Sequence, residues 1–285
     1  MGVNDHFEGT FEITTSVLKK GCAVACKICP QELLVSKYLP HKNLNFLSFD
    51  DFVKILAKVP KTYRIDFAGY SEPFLNKDCG KMMKHACDSG YRVCCYTTLV
   101  GANLDDVELL ASLPFSRSDS CPLVIHVPDS GDIMPVKITK RYRAVLKSII
   151  EKNLRFVGFM TMDKTGDPHP DIIDLVGKLK DFKAISRANN IKENEEIKEV
   201  KRLSGRIMCK PMPKLNHNIL LPNGDVQLCC MDYGLKHKLG NLLESSHTDL
   251  FKGKEFKRIR KNMIKDMGSS NDDILCRNCE LAMRV

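Results

Sequence analysis

Three cysteines within eight residues, in Gly21-Cys22-Ala23-Val24-Ala25-Cys26-Lys27-Ile28-Cys29-Pro30, carry the densest chemistry of this 285-residue chain. Three thiolates can ligate three irons of a four-iron four-sulfur cluster, leaving the fourth iron an open position for a small molecule. The spacing i, i+4, i+7 also fits a buried stripe on a helix, and cysteine is a common core residue. Gly21 and Pro30 bracket the stretch, however, and a proline pushes the residue before it, here Cys29, away from helical geometry. A loop is expected. Zinc is the third option, although structural zinc takes four ligands and usually pairs of cysteines.

A second set of thiols lies in the last quarter of the chain: Cys209, Cys229, Cys276 and Cys279. Four is a complete shell for zinc or for an iron-sulfur cluster. Cys276-x-x-Cys279 alone reads as a zinc knuckle, but beside the first motif a second iron-sulfur cluster is expected. Cys230 neighbours Cys229, and counting does not decide which of the two binds. A region of about 75 residues with one hairpin and one helix makes a small core, for which a metal staple is the usual remedy.

Length and composition fit a globular chain with a full core and a small second domain. Hydrophobic residues make up 43% of the sequence, without low-complexity tracts. No apolar run approaches the ~18 residues that a membrane helix needs. The start, MGVNDHFEGT, lacks the basic and apolar regions of a signal peptide, and a cytoplasmic protein is expected. In that compartment the thirteen cysteines suggest metal rather than disulfides. The formal charge of +9 counts every cysteine as neutral, so it argues little for nucleic acid, which is not an expected partner.

The elements that must position these thiols follow from pattern. Strands are expected at 8–16, Thr62–Gly69, Tyr91–Thr98, Pro122–Pro128, Arg155–Met162 and Phe182–Arg187. Helices are expected at Glu32–Tyr38, Ser48–Lys58, 76–88, Asn103–Leu113, Val136–Glu151 and Asp171–Leu179, with Ser48 and Asp51 marking one helix start. Alternating strands and helices imply a parallel sheet, and such sheets bind ligands at the carboxyl ends of their strands. The cysteine loop, Glu72, Thr98, Asp129, Asp163 and Arg187 all fall there. After Arg187 the chain becomes polar and charge-dense, which puts a domain boundary near Leu203, between 1–203 and 204–285. Beyond it, HNILL-PNGD-VQLCC reads as a β-hairpin turning at Asn223-Gly224, and Leu250–Met263 as a basic amphipathic helix with a solvated face.

Taken together these motifs resemble the radical S-adenosylmethionine (SAM) superfamily, specifically members with a C-terminal SPASM or twitch extension. The family's Cys-x3-Cys-x2-Cys is Cys22, Cys26 and Cys29 after a first strand. Its Gly-Gly-Glu-Pro is matched by Gly69-Tyr70-Ser71-Glu72-Pro73, and the extension's Gly-x4-Cys by Gly224 to Cys229. The resemblance implies an α/β fold, a partial (β/α)6 TIM barrel with a small C-terminal α+β iron-sulfur domain. It implies SAM on the open iron, Glu72 accepting from the methionyl amine, Gly69 and Ser71 beside it, and the Ile28 backbone against the adenine. Ile28 departs from the aromatic residue often found there. The family's polar residue on strand four, which meets the ribose, corresponds to His126 or Asp129.

The resemblance further implies a 4Fe-4S cluster on Cys22, Cys26 and Cys29 and one auxiliary 4Fe-4S cluster on Cys209, Cys229, Cys276 and Cys279. Full SPASM members use seven or eight cysteines for two auxiliary clusters; four point to the single-cluster twitch form, similar to an inosamine dehydrogenase. There the cluster accepts an electron while a hydroxyl becomes a ketone, and an arginine before the first auxiliary cysteine contacts substrate, a role that falls to Arg187. The expected function is therefore hydrogen abstraction from a small hydroxylated, sugar-like or cyclitol-like molecule, with a flavodoxin or ferredoxin as reductant. The alternatives are peptide maturation, weakened because a first strand near residue 8 leaves no space for a leader-binding winged helix, and a non-enzymatic iron-sulfur or zinc binding protein.

Overall fold

The computed structural model describes residues 8–39, 44–113, 123–154, 157–191, 197–264 and 273–285. From the amino end it runs β1 (Gly9–Ile13), the cysteine loop, α1 (Gln31–Tyr38), α2 (Phe49–Leu56), β2 (Tyr63–Phe67), α3 (Cys79–Asp88), β3 (Arg92–Thr97), α4 (Leu104–Ser112), β4 (Leu123–His126), α5 (Lys140–Glu151), β5 (Val157–Met160) and the single turn α6 (Ile173–Val176). The carboxyl part adds β6 (Ile207–Cys209), β7 (His217–Leu220), β8 (Asp225–Gln227), β9 (Lys238–Asn241), α7 (His247–Leu250), α8 (Lys254–Ile264) and β10 (Ala282–Arg284).

The main sheet is mixed and mostly parallel, in the order β5-β4-β3-β2-β1-β7-β8-β9. Strands β1 to β5 run parallel, as helical crossovers require. Side chains alternate across such a sheet with period two, and here the alternation separates two chemistries. Phe11, Ile13, Ile65, Phe67, Val93, Leu123 and Ile125 are buried in one core with Phe52, Ile55, Met82, Val107 and Val145 of the helices. Each such side chain contributes about 1.5–3 kcal/mol when fully buried. The intervening positions, Glu12, Arg64, Asp66, Tyr96 and His126, line a cavity on the opposite face.

Several expected elements are shorter or absent. The helix expected at Ser48–Lys58 forms with Ser48 as its cap, the hydroxyl accepting from the Asp51 N–H at 3.1 Å. The helix expected from residue 76 begins only at Cys79, after a 3-10 turn at Pro73–Leu75. That expected from Val136 begins at Lys140, and that expected at 171–179 stops at Gly177, whose φ of +66° ends it. The strand expected at Phe182–Arg187 does not form: 181–186 is irregular and Arg187 sits in a turn. Its place beside β1 is taken by β7, whose Thr10 to His217 and Ile13 to Leu220 register is parallel. The helix expected at Leu250–Met263 is two helices broken at 251–253. Pro122, Arg155 and Cys121 lie outside the described residues. No helix among the described residues is long and apolar enough to cross a membrane.

The hairpin after the polar connection forms as expected. Leu221 N–H donates to Asp225 at 2.8 Å, and Gly224 takes φ +83° in the turn. Because β7 pairs with β1, the sheet continues from the amino part of the chain into the carboxyl part. β6 and β10 form a separate antiparallel pair in which Ala282 faces Cys209.

Candidate active site

Residues 21–30 form a loop without helix, and the three cysteines are half-buried rather than core side chains, which removes the buried-stripe reading. Gln31, at the start of α1, ties this loop to the turn after β2. Its Oε1 accepts from the Cys22 N–H at 3.0 Å and its Nε2 donates to the Tyr70 carbonyl oxygen at 2.6 Å. The Glu72 N–H points at Cys22 Sγ, 3.4 Å away. Gly69 has φ +73°, and a Cβ there would lie 2.3 Å from Thr14 Oγ1. Only glycine fits this backbone without strain.

Glu72 is buried and fully engaged. Oε1 accepts from the Phe74 N–H and the Thr97 hydroxyl at 3.1 and 2.7 Å; Oε2 accepts from the N–H and hydroxyl of Thr98 at 2.6 and 2.7 Å. A carboxylate offers about four acceptor sites, so this one already holds a full set. Burial raises its pKa, while the Thr97, Thr98 and Phe74 donors oppose the rise. The carboxylate locks the turn 69–73 onto the end of β3, and an incoming amine would have to replace one of these donors.

One cavity of about 280 Å³ brings the expected residues together: Cys22, Cys26, Cys29, Gly69, Ser71, Glu72, His126 and Arg187 line it. Ile28 is buried behind the loop. Asp129 lies off the cavity, and its oxygens accept from the Ile133 and Met134 N–H groups at 2.8 and 2.9 Å, closing a loop. Asp163 likewise accepts from the Thr165 hydroxyl at 2.6 Å. Burial, with Arg187 adding to it, lowers the His126 pKa to about 4, so its imidazole is neutral at neutral pH.

The cavity also holds residues that pattern did not single out: Glu12, Arg64, Asp66, Tyr96, His217 and Tyr233. Arg64 makes a forked pair with Asp66 at 2.7 and 2.6 Å, and Glu12 pairs with His217. Burial opposes the charge on His217, but Glu12 outweighs it and raises the pKa. A sequence signal existed: parallel strands usually read as continuous apolar runs, whereas Glu12, Arg64 and Asp66 interrupt theirs with charge.

The thiols themselves test whether an iron-sulfur group fits. Burial pushes Cys22 up to about 11. A hydrogen bond to Cys29 raises Cys26, while that bond lowers Cys29 to about 6, with Arg187 and Tyr233 assisting. In the carboxyl set, burial and mutual repulsion push Cys276 up to about 12, its repulsive neighbours being Cys279 and Cys209, and Cys229 also rises through burial, Cys230 and Cys276. Cys29 is thus ready to ionise, whereas the raised thiols ionise at neutral pH only beside a bound cation, so both sets suit a cationic iron core. Among the described residues no three His, Cys, Asp or Glu side chains gather closely enough for a single metal ion. Of the adjacent pair, Cys230 lines the cavity with Arg187 and Tyr233, whereas Cys229 does not line it and is repelled by Cys276.

Comparison with known proteins follows this geometry. Residues 209–280 match the SPASM domain, an iron-sulfur cluster-binding domain. No curated protein matches in sequence. Among solved structures, BtrN in complex with AdoMet and 2-DOIA is 18% identical, with a TM-score of 0.60 over 95% of this chain and 92% of that one. SuiB of Streptococcus suis bound to its precursor peptide SuiA is 15% identical, with a TM-score of 0.58 over 97% of this chain and 70% of that one. The anSMEcpe structure with bound AdoMet is 12% identical, with a TM-score of 0.52 over 95% and 83%. The carboxyl part of the chain therefore matches an iron-sulfur cluster-binding domain of SPASM type, and the chain as a whole shares the fold of these three structures.

Proposed function

We propose that the chain is a radical SAM oxidoreductase acting on a small hydroxylated molecule of sugar or cyclitol type. The observation that carries this reading is the single cavity lined by Cys22, Cys26 and Cys29 at one side and by Glu12, Arg64, Asp66, His126, Arg187 and His217 at the other. A wall rich in ionisable groups suits a compact polar substrate that exchanges water for hydrogen bonds. The likeness to BtrN, whose complex contains 2-DOIA, supports it.

Cys22, Cys26 and Cys29 would hold the SAM-binding 4Fe-4S cluster, and Cys209, Cys229, Cys276 and Cys279 the auxiliary one, the first on the parallel β1–β5 sheet within 1–203 and the second in a small iron-sulfur domain (204–285) whose β7 extends that sheet. When bound, such a cluster would supply one-electron reduction of SAM and hence the radical chemistry that removes a hydrogen atom from substrate. Gly69, Ser71 and Glu72 present the turn against the methionyl end, the Ile28 backbone meets the adenine and His126 the ribose. Asp129, closed on its own loop, is the weaker ribose candidate. Arg187 would orient the substrate, the Glu12–His217 pair would receive its hydroxyl proton, and the auxiliary site would supply an acceptor for its electron. A flavodoxin or ferredoxin would be the reductant.

Peptide maturation is the second reading, favoured by the likeness to SuiB, whose structure contains a precursor peptide. The two are separated by offering reduced, SAM-supplied protein a panel of cyclitols and aminosugars beside peptides. Ketone formation on a panel member coupled to 5'-deoxyadenosine supports the first reading. Peptide crosslinking without any ketone replaces it.

A further inference from the structure

Arg187, Ala188 and Asn189 all have positive φ, at 53°, 56° and 61°. L-residues take this geometry one at a time, because Cβ crowds the following carbonyl, and a run of three needs outside support. Glu280 gives it. Its Oε1 accepts from the Ser186 hydroxyl at 3.0 Å and its Oε2 from the Ala188 N–H at 2.9 Å. On the other side Asn190 Nδ2 donates to the carbonyls of Arg187 and Met231, both at 2.7 Å. Glu280 follows Cys279 directly, and Met231 lies two residues after Cys229, so the turn is strapped beside two of the four carboxyl cysteines. The side chain it presents, Arg187, lines the cavity and makes no hydrogen bond or ion pair among the described residues.

We propose that Glu280 is a positioning residue: its carboxylate holds the left-handed turn that presents Arg187 to the cavity, and it makes that turn depend on loading of the carboxyl cysteine site. An empty carboxyl site then leaves the substrate arginine misplaced, so the pocket is completed only in protein able to accept the electron. This consequence for substrate rests on the function proposed above; the strap itself does not.

The test compares full-length wild type, Glu280→Gln and Cys279→Ser after anaerobic reconstitution with iron and sulfide. Glutamine keeps the shape but accepts through one atom only, so one of the two donors loses its partner. Glu280→Gln is expected to keep wild-type iron while the Ala188 amide exchanges at least tenfold faster. Phenylglyoxal labelling of Arg187, measured relative to Arg64 in the same cavity, should change at least threefold. Cys279→Ser, which loses carboxyl-site iron, should show the same two changes. Wild-type exchange and labelling in Glu280→Gln overturn the strap, and wild-type values in Cys279→Ser overturn its dependence on loading. Iron loss in Glu280→Gln equal to that of Cys279→Ser also overturns it, since Glu280 would then belong to the iron shell. Wild type that cannot cleave SAM would remove the proposed function without altering these readouts, so the two failures are distinct.

Discussion

Tyr70 donates its hydroxyl to the carbonyl oxygen of Cys229 at 2.9 Å, joining the turn that carries Glu72 to the carboxyl cysteine set. Its ring packs on Tyr233 with centroids 4.6 Å apart, and the Tyr233 hydroxyl reaches Cys29 Sγ at 3.8 Å. Both thiol sites and the intervening turn are thus one bonded unit. Tyr70→Phe leaves the Cys229 carbonyl without this donor, at a cost of about 1–2 kcal/mol. Thermal unfolding of reconstituted protein should show a midpoint lower by roughly 2–6 °C. An unchanged midpoint would mean the bond is not made in solution.

The opposed placement of Cys229 and Cys230 gives a chemical prediction. Cys229→Ser should lose carboxyl-site iron, close to half of the ~8 irons that two four-iron clusters hold. Cys230→Ser should retain all of it, because that thiol faces the cavity beside Arg187. Iron analysis and Mössbauer spectra read both, and the reverse pattern would exchange the two assignments.

Gly69→Ala places a methyl 2.3 Å from Thr14 Oγ1 at φ +73°. The backbone alone costs about 1–2 kcal/mol, and Thr14 must also release the Tyr70 N–H it accepts at 3.1 Å. Denaturant unfolding should show a loss of at least that size, with weaker SAM binding by equilibrium dialysis. Unaltered SAM affinity would detach this turn from the cofactor.

His247 is packed against the rings of Phe11, Tyr63 and Phe251, with Nε2 unpartnered. Burial lowers its pKa from 6.5 to about 4. The unfolded chain therefore binds the proton more readily, and stability present above pH 6.5 falls as pH drops toward 4, by on the order of 2 kcal/mol. His247→Phe should flatten that part of the stability profile without loss at pH 7.5. A profile that keeps its slope in the variant would place the titration elsewhere.

Much of this arrangement was legible in the chain because its signals are local. The loop reading of Cys22–Cys29 rested on Pro30, the α2 start on Ser48, and the hairpin on Asn223-Gly224; all three concern neighbours in sequence. What was not legible depends on distant partners. The expected sixth strand gives way to a turn that Glu280 holds from 94 residues beyond Ser186. Its edge on β1 goes to β7, which nothing within residues 217–220 announces. That Cys230 rather than Cys229 lines the cavity with Arg187 likewise depends on the distant partners of each side chain. The fully engaged Glu72 shows the same lesson within the motif: Thr97 and Thr98 come from the next strand and occupy the carboxylate.

The central claim is that Cys22, Cys26 and Cys29 hold an iron with an open position for SAM. Its most direct measurement is 5'-deoxyadenosine formed anaerobically from SAM and dithionite by reconstituted protein. Wild type should release 5'-deoxyadenosine and methionine in equal amounts, and replacing any of the three cysteines with alanine should abolish both while leaving the carboxyl-site iron in place. Cleavage that survives any of these replacements would contradict the account.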